Sequence, residues 1–175
     1  VGLSFLIFLI SFFVMLQVFW GNLKMQNLKK ILPEMDRDGP LVSVIVPACN
    51  EENTLEPALH SLLQQDYPYL ELIVIDDRST DATFAVLAKL EKEFSEIRVK
   101  RVKKLPPGWL GKNHGLHLGA KTARGDILLF TDADIVMEPS TLSRAVRYFR
   151  HENLDHLSLI FRHIAPGGLL NAMIV

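Results

Sequence analysis

Two aspartates, Asp132 and Asp134, stand one residue apart in the stretch LLFTDADIVMEP (residues 128–139), directly after an apolar run from Ile127 to Phe130. Carboxylates this close repel one another, so the arrangement calls for a partner. Gathered acids can hold a divalent cation, which takes oxygen ligands. They can accept hydrogen bonds from ribose hydroxyls or a base N–H, or they can do acid–base work as a pair. Two other polar clusters also follow apolar runs: ACNEE (48–52) and DDRSTD (76–81). Helix capping accounts for Asp81, beside a helix start. It does not account for Asp132 and Asp134, because no helix is expected before Ser140. The chain has no G-x-x-x-x-G-K-[ST] loop and no G-x-G-x-x-G turn. A nucleotide bound here would therefore be held by metal and acids rather than by a glycine cradle.

The elements between these clusters alternate from Leu41 onward. LVSVIVP, LELIVID and DILLFT read as buried strands, and IRVKRV as a more exposed one. NTLEPALHSLLQQ reads as a helix with Leu55, Leu59, Leu62 and Leu63 on one face, capped by Asn53 with Glu56 three residues on. STDATFAVLAKLEKEF is a second amphipathic helix, starting near Ser79 or Thr80. NHGLHLGAKTAR is a short one whose Gly115 and Gly119 permit close packing, and STLSRAVRYFRHE is a helix capped by Ser140. LSLIF (157–161) is expected as a last strand. Strict alternation predicts an α/β fold, a mostly parallel sheet with helices on both faces. Ligands of such sheets bind beyond the carboxyl ends of the strands, so the three polar clusters should meet on one edge.

The chain has 175 residues, enough for one domain with a sizeable core, and a formal charge of −1, which speaks against nucleic acid as a partner. Cys49 is the single cysteine, so no internal disulfide forms, and the soluble part is expected in a reducing compartment. Beside the polar cluster, its thiol is expected as a small filler rather than a nucleophile. From Val1 to Trp20 there is no charge. About 20 apolar residues span a hydrocarbon core of roughly 30 Å. Residues 1–21 are therefore expected as a transmembrane helix, and 22–40 as a linker containing the polar stretch PEMDRDGP (33–40). Lys24, Lys29 and Lys30 after Trp20 place the domain from residue 41 in the cytosol. A signal peptide would have a shorter apolar core and a small-residue cleavage site, which is not seen.

These residues carry a resemblance. VSVIVPACNEENTLEPALHSLLQQDYPYLELIVIDDRSTDAT resembles the opening of a family 2 glycosyltransferase of the GT-A fold, and GAKTARGDILLFTDAD resembles the family's approach to its D-x-D motif. The likeness covers about residues 41–145. KKLPPGWLGKNHGLHLGA is similar to membrane-bound members that glycosylate lipids such as hopanoids, carotenoids or ceramide. The resemblance implies inverting, metal-dependent transfer of a sugar from a nucleotide-sugar, expected to be a UDP-sugar, to a lipid or glycan acceptor. It implies Mn2+ or Mg2+ on Asp134, with Asp132 at the ribose or in the metal shell. It further implies that Asp77 bonds the uracil, that Pro47 and Ala48 pack on its ring, and that Asn50 and Glu51 share the pocket. Lys112, just before a helix start, is a candidate phosphate contact. His114 and His117, three apart on that helix, suit packing or substrate contact better than a metal, and Trp109 is expected either to be packed or to lie in a loop over the donor.

Family members have an acidic catalytic base on a later segment, and many have a Q-x-x-R-W motif and further membrane helices. None of these precedes Val175, so the base is expected beyond it. The chain begins on valine and ends on the apolar LLNAMIV, which reads as part of a longer protein, inactive alone, with residues 41–175 an incomplete GT-A domain. Three alternatives remain. A sugar-nucleotide-binding module without catalysis shares every feature to Phe161. A nucleotidyltransferase would carry a Gly-rich basic loop where PACNEE is acidic. A receiver domain would give no role to the apolar segment or to GKNHGLHLGAKTARGD.

Overall fold

The computed structural model describes residues 2–23, 25–33 and 38–160. Helix α1 spans Gly2–Leu23. Over Gly2–Gly21 it is long and apolar enough to cross a membrane, and its large apolar side chains there are mostly exposed. The segment after it is fastened rather than loose. After a turn of 3-10 helix at Leu28–Lys30, Lys29 pairs with Glu138 at 2.7 Å, and the Arg144 guanidinium donates to the Lys29 and Ile31 carbonyls. Arg147 donates to the Leu32 carbonyl at 3.1 Å. The predicted linker is thus pinned along residues 29–32, while Lys24 and residues 34–37 lie outside the described residues.

The domain proper has four strands, β1 (Val42–Ala48), β2 (Leu70–Asp77), β3 (Ile97–Val102) and β4 (Ile127–Phe130). All pair in parallel, in the order β3-β2-β1-β4. The helices α2 (Leu55–Leu63), α3 (Thr83–Glu93), α4 (Gly111–Thr122) and α5 (Thr141–His151) fall between and after them. Alternate residues of β1 and β2 face opposite cores, which is why these strands read as unbroken apolar runs. Val42, Val44, Val46, Leu72 and Val74 pack with Leu55, Leu59 and Leu62 of α2, Leu87 and Leu90 of α3, and Leu142 and Val146 of α5. Ile45, Ile73 and Ile75 meet Leu116, Leu118 and Ala120 of α4. As expected, glycine lets α4 lie close: a methyl on Gly119 would overlap Ile45 Cγ2.

Four expectations need correction. LSLIF does not extend the sheet: residues 157–160 form no strand, and Phe161 lies outside the described residues. β4 is covered on one face only, where Ile127 and Leu129 pack against the core. Phe130 stands in register with Ile45 but beyond the reach of α4, so Leu128 and Phe130 are exposed. Helix α2 begins at Leu55, with Thr54 rather than Asn53 at the cap position. Thr54 donates to the carboxylate of Glu51 instead of capping the helix with its side chain. The α3 helix starts at Thr83, later than Ser79 or Thr80, because Asp81 accepts from the Thr83 amide at 3.0 Å and opens the helix there.

At the amino ends of the strands, the buried Glu71 carboxylate ties the sheet together. It accepts from Ser43 Oγ at 2.6 Å, from Arg98 at 2.8 Å, and from the Arg124 amide and Nε at 2.8 and 3.0 Å. Burial pushes this carboxyl up, but the hydrogen bonds from Ser43 and Arg124 and the Arg98 charge outweigh it and hold the group below its ordinary 4.5. A carboxyl depressed on folding stabilises the fold above its unfolded value and loses that contribution as pH falls through the folded one. Glu71→Gln should therefore destabilise the protein by about 2 kcal/mol at pH 7, since Arg98 and Arg124 are solvated enough to soften the loss. The gap in thermal midpoint between the two proteins should narrow below pH 4.5. An equal gap at pH 7 and pH 3.5 would remove the charge from this account.

Candidate active site

The carboxyl ends of β1, β2 and β4 do gather the three polar clusters. They enclose a cleft of about 230 Å³ lined by Pro47, Ala48, Cys49, Glu51, Asp77, Lys112, Asp132, Ala133 and Asp134. Each group arrives there for a local reason. Asp77 is the last residue of β2 and is 4% exposed. Pro47 and Ala48 end β1. The Thr131 amide donates to the Ile45 carbonyl at 3.2 Å, which continues the β4 pairing to the lip of the cleft. From there Thr131 and Ala133 are buried and Asp132 and Asp134 exposed, so both carboxylates turn outward together. Past the acids, Met137 N–H donates to Ser61 Oγ at 3.0 Å, and Asp66 N–H to the Pro139 carbonyl at 2.9 Å. The acid-bearing loop is held at both ends.

Most polar residues of the first two clusters brace the loops instead of facing the cleft. Asn50, with φ 58°, donates its amide to Ser79 Oγ at 3.0 Å and accepts from the Thr80 amide at 2.8 Å through its side chain. Glu51 N–H donates to Thr83 Oγ1 at 2.8 Å, and Glu52 accepts from the Ala82 amide at 2.8 Å. Of the predicted set, Pro47, Ala48, Glu51, Asp77, Lys112, Asp132 and Asp134 thus line the cleft. Asn50 does not; it locks the β1 loop to the β2 loop. Asp76, wholly buried, accepts from the Ser79 amide at 3.3 Å and lies 3.0 Å from Arg101 Nε, so it too is structural.

Lys112, in the first turn of α4, lies 2.6 Å from Asp132. A cation already answers half of the acidic pair. Trp109 packs on His114 and His117, with ring centroids 5.4 and 4.9 Å away. Burial first, and the Asp77 charge second, push the Cys49 thiol above its ordinary value, which suits a lining group and not a nucleophile. Two contributors escaped the sequence reading. Arg78 follows Asp77 with φ 60° and forks onto its carboxylate, and Gly111 passes so close that a methyl there would overlap both side chains. A non-glycine residue at the end of a strand-to-loop turn is a faint signal, and the fork cannot be read from spacing.

No group of three or more His, Cys, Asp or Glu side chains suited to a metal occurs among the described residues. Asp132 and Asp134 alone offer part of a coordination sphere. That fits Mg2+ or Mn2+, which use one or two carboxylates and complete the shell with phosphate oxygens and water.

Known proteins share this build. A solved structure of Staphylococcus aureus TarS (residues 1–349) in complex with UDP-GlcNAc superposes with TM-score 0.55 at 27% identity, over 70% of this chain and 37% of that one. The mannosyltransferase PcManGT from Pyrobaculum calidifontis, in complex with GDP-Man and Mn2+, superposes with TM-score 0.59 at 29% identity, over 77% of this chain and 39% of that one. A beta-monoglucosyldiacylglycerol synthase of Trichormus variabilis is 32% identical over 123 residues, 69% of this chain and 26% of that protein. The chain spans 22% to 42% of the length of the first curated relatives it matches. The profile described as glycosyl transferase family 2 matches residues 43–172, a stretch that contains every residue lining the cleft. On that extent of agreement, the chain belongs to glycosyltransferase family 2 and carries its GT-A type of fold.

Proposed function

We propose that this domain binds a nucleotide-sugar, with UDP as the carrier, and serves metal-dependent, inverting transfer of the sugar to a lipid acceptor. The observation that carries the reading is the cleft itself. It brings one near-buried carboxylate, Asp77, together with two exposed carboxylates, Asp132 and Asp134, and one lysine, Lys112. A nucleoside diphosphate offers the matching groups, a ring N–H for a carboxylate acceptor and oxyanions for a cation and a lysine. Asp77 would accept from the uracil, Pro47 and Ala48 would support its ring, and Asp134 with Asp132 would hold the cation. Bound there, that ion would neutralise the diphosphate and stabilise charge building on the leaving group. Lys112 would add a second positive charge beside it.

Membrane attachment by residues 1–21, the linker over 22–40 and a cytosolic catalytic domain from residue 41 are part of the same proposal. It is supported by α1 and by the pinning of residues 29–32 onto α5 and onto Glu138 of the acid-bearing loop. A domain held in this way would work at the bilayer surface, where a lipid acceptor is presented. The relative named beta-monoglucosyldiacylglycerol synthase supports that acceptor class.

The Lys112–Asp132 contact gives the reading a test with two signs. If Lys112 answers Asp132 only until metal and diphosphate arrive, Lys112→Ala should bind Mn2+ alone about twofold to fourfold more tightly, because an exposed ion pair is worth under ~1 kcal/mol. The same variant should bind UDP with Mn2+ about tenfold more weakly, through loss of a charge-assisted phosphate contact. Electron paramagnetic resonance reads free Mn2+, and calorimetry reads UDP. Unchanged UDP affinity would place Lys112 outside the donor site, and no UDP binding by the unmutated full-length protein would sink the proposed function.

A further inference from the structure

Arg78 follows Asp77 at the end of β2 and turns back on it. Its backbone is left-handed, with φ 60°, a conformation that costs a residue with a Cβ about 1 kcal/mol. Its amide donates to the Val102 carbonyl at 3.0 Å, which holds the turn against the end of β3. Its Nε donates to Asp77 Oδ1 at 2.8 Å and its second terminal nitrogen to Oδ2 at 3.0 Å. Two parallel N–H bonds to the two oxygens of one carboxylate occupy its inner, or syn, lone pairs. The Asp77 side chain lines the cleft at 6% exposure, while Arg78 stands behind it and does not line the cleft. Gly111, the first residue of α4, closes over both, leaving no room for a methyl group.

We infer that Arg78 is a positioning residue that sets base selectivity: by filling the inner lone pairs of Asp77, it leaves that carboxylate able to accept one ring N–H and unable to accept two parallel donors. The inference rests on Asp77 as the base-reading group in the function proposed above. Uracil presents a single N–H, at N3, flanked by two carbonyls. Guanine presents N1–H and N2–H side by side, the same parallel pair that an arginine fork presents. An open carboxylate matches guanine for that reason. With Arg78 in place, only the outer lone pairs remain, and these diverge. One suits a single N–H, and no two can meet parallel donors. The same fork that orients Asp77 for uracil therefore excludes guanine.

The test is calorimetry of the full-length protein in detergent, with Mn2+ and either UDP or GDP. Wild type is compared with Arg78→Gly, Gly111→Ala and Asp77→Asn, with thermal midpoints as a check on folding. Glycine adopts φ near 60° without a Cβ penalty, so Arg78→Gly should fold. In that variant GDP affinity relative to UDP should rise about tenfold or more, the value of a bidentate base contact regained. Gly111→Ala, which wedges the fork, should move the ratio in the same direction by a different route. A GDP-to-UDP ratio unchanged in both variants, including a common loss of both nucleotides, would reduce Arg78 to a structural role and overturn the inference. That outcome is distinct from failure of the function itself: in it wild type still binds UDP and Asp77→Asn weakens it, whereas a wild type that does not bind UDP overturns both.

Discussion

UDP should bind the full-length protein, in the presence of manganese, about 10²-fold more tightly than CDP. A site built around a buried acceptor rejects a ligand that lacks the matching donor by roughly 10⁴-fold when that acceptor is left with no partner at all. Asp77 is not left in that state. It is nearly buried, but Arg78 engages both of its oxygens, so the expected discrimination is smaller by about two orders of magnitude. What remains is the clash of like with like. Cytosine has no hydrogen on N3 and would set a ring lone pair against the carboxylate. To offer its amino group instead, it would have to slide off the seat that Pro47 and Ala48 form at the end of β1. Asp77→Asn should weaken UDP binding and narrow the gap to CDP, because an amide can donate as well as accept. Titration of both nucleotides into both proteins measures the two ratios. Equal affinity of the unmutated protein for UDP and CDP would take Asp77 out of base reading.

How much of this site the sequence reveals depends on whether a residue's role is set by its place along a strand or by its neighbours across a loop. Asp77 and Asp132 were legible because they end or follow apolar runs, and in a parallel sheet every strand delivers its carboxyl end to the same edge. Gly115 and Gly119 were legible because an interrupted helical pattern implies close approach. Asn50 was not. Its sequence neighbours Glu51 and Cys49 line the cleft, yet its left-handed backbone turns its side chain to Thr80, thirty positions away in the chain. Arg78 was hidden in the same way, since a fork onto the preceding residue needs a φ that no local pattern announces. The exposed side of β4 has another origin. Leu128 and Phe130 carry the apolar pattern of a strand covered on both faces, but the cluster that α4 packs on that side takes in Ile45 of β1, Ile73 and Ile75 of β2 and Val102 of β3, and no residue of β4. Periodicity reports that a strand has two apolar faces and cannot report what covers each of them. The helix starts missed for a smaller reason: Asp81 and Thr54 compete with nearby Ser, Thr and Asn for the same role, and hydrogen bonds within each loop, with one from Glu52 to Asp81 across them, decide which wins.

Asp134→Ala should abolish manganese-dependent UDP-sugar binding and reduce turnover of the complete enzyme by about 10³-fold or more, since removing the charge partner of a bound ion at such a site costs several kcal/mol. The loss should be confined to function. Asp134 is exposed and has no part in fastening its loop, which depends on Thr131, Ala133 and Met137 and on bonds to Ile45, Ser61 and Asp66. The thermal midpoint of the variant should accordingly match wild type, or exceed it slightly, because one of two like charges has been removed. Asp132→Ala should be milder in metal binding, as Asp132 already shares its charge with Lys112 in the absence of donor. The two variants thus separate a residue that holds the cation from one that lies beside it. Metal-free UDP affinity is the internal control, because Asp77 and the Pro47–Ala48 seat are untouched and a weak, manganese-independent component should survive in both proteins. If Asp134→Ala retains the manganese-dependent increment in UDP affinity, the cation does not sit on this aspartate. The manganese-dependent gain would then have to come from a cation held by Asp132 and the diphosphate, with Lys112 released from Asp132 as the donor binds.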